Sequence, residues 1–192
     1  MAVREDKKER IIECAVALFA ENGYYKTTTG QVAKAAGVTQ PYVFHFFANK
    51  EALFKAVIDR ACARINEAFA GVEEGPERLK HAMGCVFTEI MKAHHSEILL
   101  AMQAHAIAEP EIREHVRGHY RQIHDTVTDK FEKAGVSQAD KEASRFVGIG
   151  FLIAISDVMD LPVLNGFYDS SEGKDTCGDV STEGDDLSEV CV

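Results

Sequence analysis

From residue 7 to 22 the apolar side chains Ile11, Ile12, Ala15, Leu18 and Phe19 recur every three or four positions, the stripe of a helix with one buried face. Gly23 follows, a residue that takes the left-handed conformation ending many helices. The same period returns in Leu53, Phe54, Ala56, Val57, Ala61, Ile65 and Phe69 behind Asn49, a good N-terminal cap, and predicts a long helix closing near Gly71. Gly75-Pro76 opens another, because proline in a first turn lacks only an N–H that the helix leaves unused. Residues 96–108, 110–134 and 137–160 carry further helical patterns bounded by Ser, Pro or Gly, and no segment alternates as a strand would. The expected fold class is all-α.

Between Thr28 and Phe47 the pattern shortens into two small helices joined by a tight turn. Val32, Ala33, Ala36, Val38, Val43 and Phe46 fall where such helices bury side chains, and Gly37 falls at the turn, where positive φ is cheap only for glycine. Thr39 is placed to cap the second helix with its hydroxyl, and Pro41 lies in that helix's first turn. This is a helix-turn-helix. Val43, Phe46 and Phe47 are assigned to the core of a three-helix unit; Gln40, Pro41, Tyr42 and His45 are left on an outer face. A glutamine amide bonds adenine bidentately, Pro41 and the Tyr42 ring suit a thymine methyl, and His45 or the Tyr42 hydroxyl suits phosphate. Lys50, at the start of the next helix, is read as a phosphate anchor. The alternative is that Tyr42 and His45 are solvated surface residues.

Charge refines this reading. The chain carries a formal −10, but residues 1–60 hold nine Lys/Arg against seven Asp/Glu, while the remainder is acidic. Contact with a polyanion is therefore permitted through the N-terminal end alone. Residues 169–192, with eight Asp/Glu, one Lys and no aromatic residue, lack the apolar content to order themselves and are expected to be a disordered acidic tail. The five cysteines show no C-x-x-C pairing and read as reduced thiols, three of them in the core. With no apolar run of membrane length and no apolar segment behind the charged N-terminus, a cytoplasmic location is expected. No nucleophile, base and orienting group stand together, so no catalytic residue and no cofactor is assigned.

Leu18-Phe19-Ala20-Glu21-Asn22-Gly23-Tyr24, Thr27-Thr28-Thr29, Val32-Ala33-Lys34-Ala35-Ala36-Gly37-Val38, Phe44-His45-Phe46 and Asn49-Lys50-Glu51-Ala52-Leu53-Phe54 together resemble the TetR family of transcriptional repressors. The resemblance covers the N-terminal part of the chain to about Phe54; beyond it only the succession of helices is similar. It implies a helix-turn-helix DNA-binding domain over residues 1–48 and a helical ligand-binding and dimerisation domain over 49–168, ahead of the tail. It further implies a homodimer on a palindromic operator, released by a small-molecule effector. The DNA-contacting positions it implies are Thr28, Thr29, Gln40, Pro41, Tyr42, Phe44, His45 and Lys50. Two departures stand out: Phe44 replaces the family's usual tyrosine and with it a phosphate hydrogen bond, and Gly30 stands where a polar residue is common. Gly30 either permits close backbone approach to phosphate or simply weakens its helix.

Other constellations are less specific. Seven of the eight histidines lie between His81 and His124. His115 and His119, four apart beside Glu111 and Glu114, have the spacing of a zinc or nickel pair, but polar neighbours favour a solvated face, and no metal site is assigned. His105, among apolar neighbours, is read as a buried core histidine or a ligand contact. Phe87, Met91, Met102, Tyr120 and Phe151 line an effector cavity or simply fill the bundle. A competing reading, a helical-bundle enzyme or metal-binding protein using these histidines, offers no role for Gln40-Pro41-Tyr42. Phe146, Val147, Ile149, Phe151, Leu152, Ile153 and Ile155 make residues 145–160 apolar around most of the circumference, as expected of a dimer interface, with Gly148 and Gly150 allowing close approach.

Overall fold

The computed structural model describes residues 2–165, which form helices and no strands. Eight α-helices follow one another: α1 (Ala2–Lys26), α2 (Thr29–Ala35), α3 (Gln40–Phe46), α4 (Lys50–Gly71), α5 (Pro76–Ala93), α6 (His95–Gln103), α7 (Pro110–Lys133) and α8 (Ala139–Val158). Short 3-10 turns at Ala104–Ala106 and Pro162–Asn165 complete the described chain. The expected acidic tail at 169–192 lies outside the described residues. None of the described helices is long and apolar enough to cross a membrane.

Gly23 was expected to stop the first helix; it kinks it instead, at φ 75°, and helical backbone resumes as far as Lys26. The carbonyls freed at the kink are taken up locally: the Thr27 hydroxyl, fully buried, lies 3.0 Å from the Leu18 carbonyl and 2.9 Å from that of Gly23. Asn49 caps α4 as expected, its Oδ1 accepting the Ala52 N–H at 2.8 Å.

The contacts gather into two compact units. The first, residues 2–67 with 90–123, holds α1, α2, α3, most of α4, α6 and the start of α7. Its core is the predicted stripe of α1 against α4: Ile11, Ala15 and Phe19 are buried with Leu53, Phe54, Val57 and Ile58, and the rings of Phe19 and Phe54 meet edge-on at 4.9 Å. Truncating either ring to alanine costs about 3–5 kcal/mol.

Inside this unit Glu97 of α6 is buried and bonded to a forked partner: Arg60 Nε donates to Glu97 Oε1 at 2.8 Å and a terminal guanidinium nitrogen donates to Oε2 at 3.0 Å. Arg60 also donates to Glu9 of α1, and Arg64 pairs with Glu97 at 3.5 Å and with His94 at 3.1 Å. Burial opposes the Arg60 charge, yet the bonds to Glu97 and Glu9 outweigh it and raise its pKa. One charge network thus binds α1, α4 and α6.

The second unit, residues 68–89 with 124–165, holds most of α5, the end of α7 and α8. Phe69 meets Phe87 at 6.3 Å and Phe146 at 5.5 Å, and Phe146 meets Phe131 at 5.9 Å. Phe146 therefore serves this core, although the sequence pattern assigned it to a dimer surface. Gly150 likewise faces the Phe87 ring of its own chain, where an added Cβ would sit at 3.8 Å; Gly148 is exposed with nothing around it. Ile153 is buried and Ile155 is 43% exposed. Exposure of large apolar side chains in this unit concentrates further along, at Ile155, Val158, Met159, Leu161 and Val163.

Candidate nucleic-acid interface

α2 begins with a capping box that the sequence spells out. The Thr28 hydroxyl accepts the Gln31 N–H at 3.2 Å, and the Gln31 side-chain oxygen accepts the Thr28 N–H at 2.8 Å. The helix ends at Ala36, where Gly37 turns the chain at φ 67° and the Val38 N–H returns to the Ala33 carbonyl at 2.9 Å. Only glycine takes that φ without strain. Val32, Ala33 and Val43 are buried, so α3 packs on α2 through small and β-branched side chains.

Thr39 has the extended backbone of an N-cap, but its hydroxyl makes no capping bond, contrary to the sequence reading; its carbonyl accepts from Tyr42 N at 2.9 Å and Val43 N at 3.3 Å. Pro41 at the first turn removes one donor that would otherwise need such a cap.

The outer face of α3 is as expected in part. Gln40, Pro41, Phe44 and His45 are exposed, with Phe44 at 45%, and Tyr42 is half-buried. Seven residues thus present an amide, a proline ring, an aromatic face and an imidazole together. Tyr42 stacks beside His45 at 6.2 Å and meets Phe46 edge-on at 5.4 Å; the Lys7 ammonium lies 5.5 Å from its ring centre. Phe46 was assigned to the core with Val43 and Phe47, but it is only half-buried: the core accepts Val43 and Phe47, and Phe46 instead props Tyr42 and His45.

Three positions do something that spacing did not indicate. Thr29 is buried, and its hydroxyl accepts a bond from the Gln40 amide nitrogen at 2.9 Å, so it orients Gln40 from below. Gly30 lies beneath the same side chain, 3.8 Å from it for an added Cβ, which is ordinary contact. Lys50 is half-buried: its ammonium donates to the Tyr24 carbonyl at 3.0 Å and lies 4.4 Å from the Tyr24 ring centre. The cation closes the end of α1, a task that a free phosphate anchor would not have.

The residues singled out as a possible effector cavity divide between the two units. Phe87, buried, and Phe151, half-buried, belong to the second; Met91, Met102, His105 and Tyr120 belong to the first. Tyr120 bonds the carbonyls of Ala101 at 3.2 Å and Met102 at 3.3 Å, and burial pushes its hydroxyl well above the ordinary range. His105 is exposed rather than buried: it sits on the 3-10 turn, with Nδ1 at 2.7 Å from the Met102 carbonyl. Its neighbours Ala101, Met102 and Ala104 are buried, but the α-helix has ended at Gln103 and His105 falls on the exposed side of the turn.

Residues 11–57 match the family model described as bacterial regulatory proteins, tetR family. The chain is 30% identical over 104 residues to the HTH-type transcriptional regulator HbdR of Aromatoleum sp. (strain CIB), a stretch covering 52% of this chain and 45% of that protein. The chain thus spans less than half the length of that relative. Among solved structures, a transcriptional regulator (TerR/AcrR family) from Aquifex aeolicus VF5 superposes with a TM-score of 0.70 at 22% identity, over 84% of this chain and 94% of that one. AibR, crystallised in complex with isovaleryl coenzyme A and operator DNA, superposes with a TM-score of 0.63 at 20% identity, over 77% and 85%.

Proposed function

We propose that the chain is a helix-turn-helix transcriptional regulator of the TetR family, a repressor that binds a palindromic operator as a homodimer and leaves it when a small molecule binds; the match of residues 11–57 to the family model supports the family, and its N-terminal unit is the DNA-binding part. The observation that carries this reading is the exposed face of α3, with Gln40, Pro41, Phe44 and His45 standing out from a helix fixed by the Gly37 turn. Residues 1–48 read DNA, and residues 49–168 hold the effector and join the two copies, in the cytoplasm. Gln40, oriented by Thr29, reads a base edge; Pro41, Tyr42 and Phe44 meet thymine methyl groups and sugar; His45 and Thr28 meet phosphate. Lys50 adds positive charge while holding α1.

One recognition helix covers too few base pairs for useful selectivity, so two copies must lie about 34–36 Å apart along the duplex. The exposed run from Ile155 to Val163 supports α8 and the turn after it as the joining surface. The candidate effector contacts are Met91, Met102, His105 and Tyr120 within the first unit and, taken separately, Phe87 and Phe151 within the second. Acyl-CoA thioesters are the first effector class to screen, AibR having been crystallised with one.

Footprinting on the intergenic DNA beside the protein's own coding region is the test. A protected palindrome, lost on adding effector and blocking transcription in vitro, is expected. Protection without sequence preference would sink the operator reading, and raised transcription would make the protein an activator.

A further inference from the structure

His115 and His119 were read from sequence as a solvated pair, but the structure gives them a third partner from another helix. Asp59 of α4 extends one carboxylate oxygen between them: Oδ1 lies 2.6 Å from His115 Nε2 and 2.7 Å from His119 Nε2. The two rings meet edge-on at 4.8 Å, and the side chains are 29% and 18% exposed, so both imidazoles are largely covered while Asp59, at 52%, has solvent on its other side. One donor atom from each of the three lies within 4.8 Å of the others. We propose that Asp59, His115 and His119 bind one divalent transition-metal ion, with Zn2+ as the reference case.

The donor set is that of such ions: two imidazoles four residues apart on one helix, plus a carboxylate from the facing helix, suit Zn2+, Ni2+ or Cu2+ and not the hard cations Mg2+ and Ca2+. Ligands on a tetrahedral ion with bonds near 2.1 Å stand about 3.4 Å apart. The carboxylate must therefore retreat from each ring by less than an ångström, which an exposed aspartate does by a small rotation.

The open side of the site suits a water as fourth ligand. It gives onto a depression of about 390 Å3 beside Gly118, which has nothing within 4 Å of where a Cβ would be. Glu111 and Glu114 lie on its rim, Glu111 3.8 Å from Lys55 and Glu114 paired with Arg117, so the depression is lined by both signs of charge. Without metal, each Nε2 carries the hydrogen that it donates to Asp59; with metal, that hydrogen passes to Nδ1 or to solvent. His119 Nδ1 is buried with no hydrogen-bond partner, so one nitrogen of that ring is unmatched in either state and metal adds no new penalty there.

The experiment is a competition titration of the full reduced chain against a chromophoric chelator with Zn2+, followed by Co2+ for its visible spectrum. Expected are one Zn2+ per chain and a Co2+ spectrum typical of four- or five-fold coordination, with Mg2+ failing to compete. His115→Ala, His119→Ala and Asp59→Asn should each lower affinity at least tenfold while leaving cooperative unfolding intact. His81→Ala and Cys85→Ala, which break a His/Cys contact of 3.5 Å on α5, should leave it unchanged. Absence of binding, or Zn2+ and Co2+ signals that survive His115→Ala with His119→Ala, would overturn the site. Asp59→Asn keeps the hydrogen-bond geometry, so a loss seen with the alanine variants but not with it would reduce the site to a histidine pair and refute the three-ligand assignment.

Discussion

Phe44 and the run from Ile155 to Val163 are both apolar surface left open to solvent, and they keep different company. Phe44 shares its helix face with Gln40, Pro41 and His45, so apolar area there is interleaved with donors and acceptors. The later run exposes five large apolar side chains in nine residues, Ile155, Val158, Met159, Leu161 and Val163, relieved only by acidic Asp157 and Asp160. A mixed surface suits a partner that offers methyl groups, base edges and phosphates at close spacing. A surface without hydrogen-bonding variety suits a partner as apolar as itself, and a second copy of the same run is the simplest one.

The strongest way to break this contrast is to charge the second surface. Ile155→Glu with Val158→Glu should leave a folded monomer by sedimentation and lower affinity for a full palindrome by about 100-fold or more, since each half-site must then be held alone. A variant that still sediments as a dimer would show that the two copies join elsewhere. Charging or shortening the first surface should do the reverse. Gln40→Ala should keep the dimer but relax preference at one base position by about 1–3 kcal/mol, read by gel shift on half-site variants. Because Thr29 holds Gln40, Thr29→Val should reproduce part of that loss; an unaltered base preference in both would move recognition off this face.

Lys50 sharpens the comparison from beneath. Removing its bonds to the Tyr24 and Tyr25 carbonyls in Lys50→Ala should lower thermal stability by about 1–3 kcal/mol and weaken every duplex alike. Selective loss for one sequence would instead make it a base reader. The smallest effect is expected from pH. Burial, then Arg64, lowers the His94 pKa below its ordinary 6.5, so the folded protein binds fewer protons than the unfolded chain there. Stability should therefore be full above 6.5 and fall as pH drops through that value toward the lower folded one. His94→Gln should flatten that part of the melting-temperature curve; an unchanged slope would put the acid sensitivity on other groups.

Where these features depend on neighbours in sequence, the chain announces them. Asn49 before α4, Pro76 and Pro110 at helix starts, and Gly37 at the turn each act within a few residues, and the exposed face of α3 follows from the turn at Gly37. What escapes is long-range. Nothing near Lys50 shows that it will close the end of α1, and nothing near Asp59 shows that His115 and His119 will face it across 56 and 60 positions. Period alone also misjudges sidedness. Phe46 and Phe146 keep helical spacing, yet one is drawn outward to its ring neighbours and the other inward to Phe69 and Phe131. His105 escapes because a helix ending one turn earlier than its pattern suggests reverses which side chains are covered.

The Arg60–Glu97 fork bears on how this sequence can change over time. Losing either partner alone breaks the fork and leaves the other charge with one lesser contact, Glu97 with Arg64 at 3.5 Å or Arg60 with Glu9, a cost approaching the about 3–5 kcal/mol of a broken buried pair, whereas replacing both with apolar groups of similar size removes both buried charges together and costs less. The two positions are therefore separated from any alternative by a valley that single substitutions do not cross. Descendants should either keep both or have exchanged both, and Glu9, exposed at the far end of the same guanidinium, should drift more freely.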